Sequence, residues 1–238
     1  MQVGGRRHTD LVTSAGFDVV GDVHGHATKL VALLERMEYE ETAGVWSHPT
    51  RSAIFVGDLI DRGPEQFETA RIVRAMVEAG SAQIVAGNHE FNAVAWEMDL
   101  RPKSKRGQHE DFLNQIGEGS DDYTEMIEWF LTIPLWLDLG NLRIVHACWD
   151  PLSMAALAGQ TGPGNTLTRE LVASACVEGS VEHHAIEVLL KGPEVPLLGY
   201  PKYKVGGADR SRARWRWWSE DALTLLAGAK MPSPLVQA

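Results

Sequence analysis

Val19-Val20-Gly21-Asp22-Val23-His24-Gly25 is the stretch from which the rest of the chain can be read. An apolar run rises to it from Phe17 and stops at Gly21, where polar side chains begin. A buried strand that delivers polar groups at its carboxyl end has this pattern. Asp22 and His24 stand two apart, so on an extended backbone both side chains point to one side. An oxygen donor and a nitrogen donor on one side suit a borderline divalent metal. A turn with a capping aspartate is spelled the same way, and this stretch alone leaves both readings open.

Two further stretches repeat the pattern. Ile54 to Gly63 reads I-F-V-G-D-L-I-D-R-G, and Ile84 to Glu90 reads I-V-A-G-N-H-E. Each is an apolar run, then Gly, then side chains able to bind a metal or move a proton: Asp58 and Asp61-Arg62 in the second, Asn88-His89-Glu90 in the third. A helix-like segment follows each one. In open α/β sheets, sites form where several strand ends converge. Three unrelated turns would not be expected to share this order.

At these residues the chain resembles the phosphoprotein-phosphatase branch of the calcineurin-like metallophosphoesterases. G-D-V-H-G, G-D-L-I-D-R-G and G-N-H-E, in that order, are similar to its three signature motifs, and the likeness runs from Asp18 to about Pro151. The branch includes Ser/Thr protein phosphatases and dinucleoside tetraphosphate hydrolases. The resemblance implies an α/β fold with α+β layering: a β-sandwich flanked by helices, with the site at strand carboxyl ends. It implies a hydrolase of phosphate esters or anhydrides using two divalent ions, manganese first, with iron, zinc, nickel or cobalt as alternatives. Asp22, His24 and Asp58 would hold one ion, and Asp58, Asn88 and His146 the other, Asp58 bridging. His89 would be the general acid, oriented by Asp61. Arg62 would grip phosphate oxygens, with Asn88 also near the substrate. Phosphoprotein and nucleotide substrates are not separated by these motifs.

The composition is compatible. The chain has 238 residues, 44% apolar and 23% charged, enough for one sizeable core. No apolar run reaches the length of a membrane span. The net charge of −10 argues against nucleic acid as the main partner. Two cysteines, Cys148 and Cys176, are too few for a disulfide framework and fit a cytoplasmic protein. Residues 1–16 read as a loose leader, 17–230 as a single domain and 231–238 as a frayed tail.

Along the chain, Leu30, Leu33, Leu34 and Met37 predict a helix over 27–37, and Phe67 to Val77 another, with Pro64 in its first turn. Trp46 to Arg51 reads as a polar excursion and Arg101 to Gly107 as a solvated basic loop. Gly140-Asn141 predicts a hairpin turn between strands over 135–139 and 142–145. His146 follows the second of these. On its own it reads as structural; beside the three motifs it resembles the family's metal-ligand histidine. Cys148 reads as a small buried hydrophobe and Glu90 as a helix cap. Residues 165–177 and 181–190 read as helices, with His183 and His184 on a solvated face. Lys191 to Pro196 reads as a loop, and Ala213 to Trp218 as a packing strand. The family supplies one more late histidine, and this sequence has none after His184. Truncation, a water, or His183 or His184 moving in would each account for that, with truncation the expectation.

Overall fold

A computed structural model describes residues 16–197, 203–205, 208–219 and 229–230. Strand β1 (Gly16–Val20) leads through the first motif to helix α1 (Ala27–Arg36). A hairpin of β2 (Glu40–Thr42) and β3 (Val45–Ser47) follows, then β4 (Arg51–Phe55), α2 (Gln66–Glu78), β5 (Ala82–Ile84) and α3 (Asn88–Glu97). The second half holds α4 (Glu110–Ile116), α5 (Asp121–Leu131), β6 (Trp136–Asp138), β7 (Arg143–Val145), α6 (Pro151–Ala156), α7 (Arg169–Ala175) and α8 (Val181–Lys191). Short strands β8 (Glu194–Pro196), β9 (Tyr203–Val205), β10 (Ala208–Arg210), β11 (Arg212–Trp215) and β12 (Ala229–Lys230) close the described chain.

The central sheet is parallel with order β1-β4-β5, Val19 opposite Ile54 and Phe55 opposite Ile84. Successive β4 residues face opposite ways, and the packing follows that period of two. Ala53 and Phe55 join Leu34, Val73, Met76, Phe112 and Phe130 in the helical core. Ile54 turns the other way and packs with Val85 and Ile144, against Leu137 and Leu142 of the β6–β7 hairpin. One face of the sheet therefore carries helices and the other a second sheet layer. Because all three central strands run in parallel, the loops after Val20, Phe55 and Ile84 leave the sheet at one edge.

Local expectations needed correction in several places. Residues 43–44 form a two-residue turn with φ of 52° at Ala43 and 85° at Gly44, as hairpin turns that match strand twist require. The stretch around Trp46 is thus half of a hairpin. Pro64 precedes α2, whose cap is Glu65. The basic segment forms a 3-10 turn over Lys103–Gln108, and Arg101 is half-buried, donating to Asn92 and to Gln108 at 2.9 Å. Leu33 is 40% exposed, and Leu30 and Leu34 carry the buried face of α1. Residues 194–196 form β8, paired with β11. Gly16, placed in the leader, opens β1; the remaining leader, 1–15, and the tail, 231–238, lie outside the described residues. Among the described residues, no helix is long and apolar enough to cross a membrane.

Candidate metal centre

The first and second motifs are sewn together by backbone. Asp58 O accepts from Val23 N at 3.2 Å and His24 N at 2.9 Å, Leu59 O accepts from Gly25 N at 2.7 Å, and His24 O accepts from Gly63 N at 2.9 Å. To make these bonds, four non-glycine residues take left-handed backbone: His24 (φ 48°), Asp58 (53°), Asp61 (67°) and Arg62 (75°). Such conformations cost on the order of 1–3 kcal/mol each and persist where surrounding contacts over-determine them. β1 ends at Val20 and His24 is left-handed, so the convergence of Asp22 and His24 comes from a folded loop, where an extended backbone had been expected.

Glu90 joins the third motif to the second. It is fully buried, and its carboxylate accepts from Gly87 N (2.9 Å), Asp58 N (2.9 Å) and Leu59 N (2.8 Å). It caps α3, as expected, and also fixes the loop that carries Asp58. The two loops touch through their glycines. A Cβ on Gly87 would fall 2.3 Å from Asp58 Oδ1, and one on Gly57 (φ 89°) would fall 2.3 Å from Gly87 N.

Asp58 sits at the centre. Its Oδ1 accepts from His89 N at the start of α3, at 3.0 Å. Its Oδ2 faces three imidazole Nε2 atoms, of His146 at 3.5 Å, His24 at 3.7 Å and His89 at 3.7 Å. Asp22 Oδ2 lies 3.8 Å from His24 Nε2. Each ring has its other nitrogen engaged: His24 Nδ1 donates to Ile60 O (3.0 Å), His146 Nδ1 to Val56 O (2.5 Å), and His89 Nδ1 meets Asp61 Oδ2 (2.5 Å). A carbonyl or carboxylate on Nδ1 is how proteins aim Nε2 at a metal. His24 Nε2 is buried with no hydrogen-bond partner, and separations of 3.5–3.8 Å are too long for hydrogen bonds between the donors. They are close to the roughly 3–3.5 Å between neighbouring donors on one ion. Two overlapping sets, His24–Asp58–His89 and Asp22–Asp58–His146, each have donor atoms within 4.8 Å of one another. The donor set fits a divalent pair sharing Asp58.

Asp61 holds more than His89. It also accepts from His109 Nδ1, at 2.8 Å to Oδ2, and His109 is 1% exposed with an Nε2 that has no partner. Burial opposes the charge on Asp61, but the hydrogen bonds from His109 and His89 overcome it and lower its pKa. Burial likewise opposes protonation of His89, while Asp61, Asp58 and Glu90 raise its pKa on balance. Glu90 is pushed up by burial and by Asp58, against its backbone hydrogen bonds. Sequence reasoning missed His109, which stands alone in a polar stretch 48 residues from Asp61.

The other expected residues fall as follows. Asn88 is half-buried at the first position of α3. Arg62, next to Asp61 in the chain, is exposed and makes no ion pair among the described residues. Cys148 is buried, and burial followed by Asp150 pushes its thiol up to about 11, so it is the inert hydrophobe expected. His183 Nδ1 donates to Ala175 O at 2.9 Å and His184 is exposed; among the described residues neither joins a donor cluster. A separate cleft at the opposite end of the sheet, lined by Phe17, His48, Arg51 and Ser81, contains no carboxylate.

Residues 16–171 match the calcineurin-like phosphoesterase family, and the chain belongs to it. It is 46% identical over 92 residues to an asymmetrical bis(5'-nucleosyl)-tetraphosphatase, PrpE, of Halalkalibacterium halodurans, a match covering 38% of this chain and 37% of the relative. It is 34% identical over 128 residues to a symmetrical bis(5'-nucleosyl)-tetraphosphatase of Janthinobacterium, covering 54% of this chain and 42% of that one. The chain thus spans less than half the length of either relative. A cold-active protein-tyrosine phosphatase of a psychrophilic Shewanella aligns at 16% identity and a TM-score of 0.47, over 93% of this chain and 60% of its own.

Proposed function

We propose that this chain is a metal-dependent hydrolase that cleaves phosphoanhydride bonds of nucleoside polyphosphates. The observation that carries the reading is Asp58 Oδ2 facing three Nε2 atoms whose rings are locked from behind. Asp22, His24 and Asp58 would hold one divalent ion, and Asp58, Asn88 and His146 the other, with manganese the expected metal. Bound there, the pair supplies an activated water and neutralises phosphoryl charge. His89 then has a separate task. Asp61 occupies its Nδ1, which leaves Nε2 to carry the proton that the leaving oxygen needs. His109 braces Asp61 from its other side. Arg62, exposed and next to Asp61 in the chain, would meet non-bridging phosphate oxygens through its planar fork. Two free cysteines fit a reducing, cytoplasmic setting.

The nucleotide preference over a phosphoprotein rests on the two bis(5'-nucleosyl)-tetraphosphatase relatives. One is named for asymmetrical cleavage and the other for symmetrical cleavage, so neither mode is favoured here. A second reading, a metal- and phosphate-binding module of low activity, draws on the absence of a further histidine from the donor clusters of the described residues. Metal analysis coupled to hydrolysis of p-nitrophenyl phosphate and diadenosine tetraphosphate with added manganese separates the two. Turnover with about two ions per chain supports the enzyme, and bound metal without turnover supports the module.

A further inference from the structure

Two of the metal donors, Asp22 and His146, also line a cleft whose other side chains the hydrolytic chemistry leaves unassigned. It is lined by Asp22, His146, Lys191, Arg214, Trp217 and Trp218. Its volume is about 210 Å³, below the roughly 300–1,000 Å³ of pockets that enclose a whole small molecule. A ligand entering here would rest partly on the open rim. The rim is aromatic: Trp217 is 38% exposed and Trp218 59%. The two rings stand at 89° with centroids 5.9 Å apart, forming a corner with open ring surface.

This rim is tied to the metal site. Trp217 Nε1 donates to Ala147 O at 2.8 Å, one residue from His146. Ala147 N in turn donates to Leu189 O (3.1 Å), and Trp215 N donates to Pro193 O (2.7 Å). β11, which leads into the tryptophans, has buried Ala213 and pairs with β8. The expected packing strand over 213–218 is thus shorter than expected: β11 ends at Trp215, and Trp217 and Trp218 lie in the turn beyond it and line the cleft. Two exposed indoles cost solvation that the core does not recover. Flat aromatic faces held beside cationic side chains are what a purine base and its phosphates need.

We infer that Trp217 and Trp218 form a base-stacking shelf, and that Arg214 meets the phosphates between the stacked base and the scissile bond. This rests on the hydrolase reading above and deepens it: the substrate is selected by its nucleobase as well as its phosphates. Lys191 is paired with Glu187, which leaves Arg214 the better placed cation. The ligand class is a nucleoside polyphosphate.

The test compares wild type with Trp218→Ala and the Trp217→Ala/Trp218→Ala double variant, each with manganese. The substrates are diadenosine tetraphosphate and inorganic tripolyphosphate, which has the same anhydride chemistry and no base. A stacked base lost to alanine corresponds to about a 5- to 150-fold change. The ratio of kcat/KM for diadenosine tetraphosphate to that for tripolyphosphate should fall by that factor in the variants. A ratio close to unity in wild type, or one unchanged in the double variant, overturns the shelf while leaving the hydrolase intact. A phosphopeptide preferred over the dinucleotide also overturns it. If wild type hydrolyses neither substrate nor p-nitrophenyl phosphate, the hydrolase reading fails, and the shelf is still decided by binding. Titration with AMP should quench tryptophan fluorescence in wild type and quench it far less in the double variant. No quenching in wild type, or equal quenching in both, counts against the shelf.

Discussion

Glu90→Gln changes one buried atom and tests what holds the loop of Asp58. The carboxylate is surrounded by three backbone donors, on Gly87, Asp58 and Leu59. A glutamine keeps one oxygen, which can take the place of Oε2 and accept from Gly87 and Asp58. Its amide nitrogen then faces Leu59 N–H, donor against donor. The loss is one charge-assisted hydrogen bond of about 1.5–3 kcal/mol, plus donors buried without acceptors at about 1–3 kcal/mol each. Working the other way, the neutral amide escapes the burial and Asp58 repulsion that raise the pKa of Glu90. We expect the lost hydrogen bonds to win by about 2–4 kcal/mol. At about 2–4 °C per kcal/mol for a chain of this size, Tm falls by about 4–16 °C. Differential scanning fluorimetry measures this, and manganese retained through gel filtration should fall with it, because Asp58 N loses its anchor. A Tm equal to or above that of wild type would mean that the buried charge outweighs its hydrogen bonds and that the loop of Asp58 is held by something else.

Other outcomes follow from the same geometry. Asp58→Asn should abolish most turnover and weaken both ions, since one shared charge is lost; two tightly held ions by elemental analysis would remove the bridge assignment. His89→Asn should lower kcat by about 10²–10⁴ with metal content kept, and by less for p-nitrophenyl phosphate, whose leaving group needs little protonation. Loss of metal instead would make His89 a ligand. His109→Asn should cost about 10-fold in kcat on poor leaving groups, the worth of one charge-assisted hydrogen bond to Asp61, with metal retained; a uniform loss across substrates would assign His109 to folding alone. In chelator-treated protein, the raised pKa of His89 stabilises the fold fully below the unfolded value of about 6.5 and less as pH climbs through the folded value. The lowered pKa of Asp61 contributes above about 3.9 and is lost as pH falls through its folded value. The Tm advantage of wild type over His89→Asn should therefore shrink between pH 6 and pH 9, and a constant difference would show that the pair is not coupled to folding.

What could be read from the sequence depended on whether the cause was local. The three apolar runs ending in glycine were legible because strand burial and a strand-to-loop change both act within a few residues; β1, β4 and β5 lie where those runs fall. Gly140-Asn141 was legible for the same reason, being a turn between short strands that pair antiparallel. The Ala43-Gly44 turn was not, because its β2 residues Glu40, Glu41 and Thr42 are all exposed and show no apolar alternation. His109 had no local signal. Its burial depends on Asp61, placed there by the left-handed turn that follows β4. Glu90 was half legible: a glutamate three residues after Gly87 suggests a cap, but only the folded loop brings Asp58 N and Leu59 N to the same carboxylate. Arg101 and Arg106 form the sharpest contrast. The sequence reads a solvated run, whereas Arg106 lies 5.8 Å over the Trp96 ring and pairs with Glu118 at 2.7 Å, ordering the approach to His109. The pattern has a physical origin. The candidate metal donors follow strand ends, so their residue pattern is visible in sequence, while backbone bonds between distant loops bring them together. The groups that orient those donors come from wherever the fold packs another element against them, so tertiary structure alone reveals them.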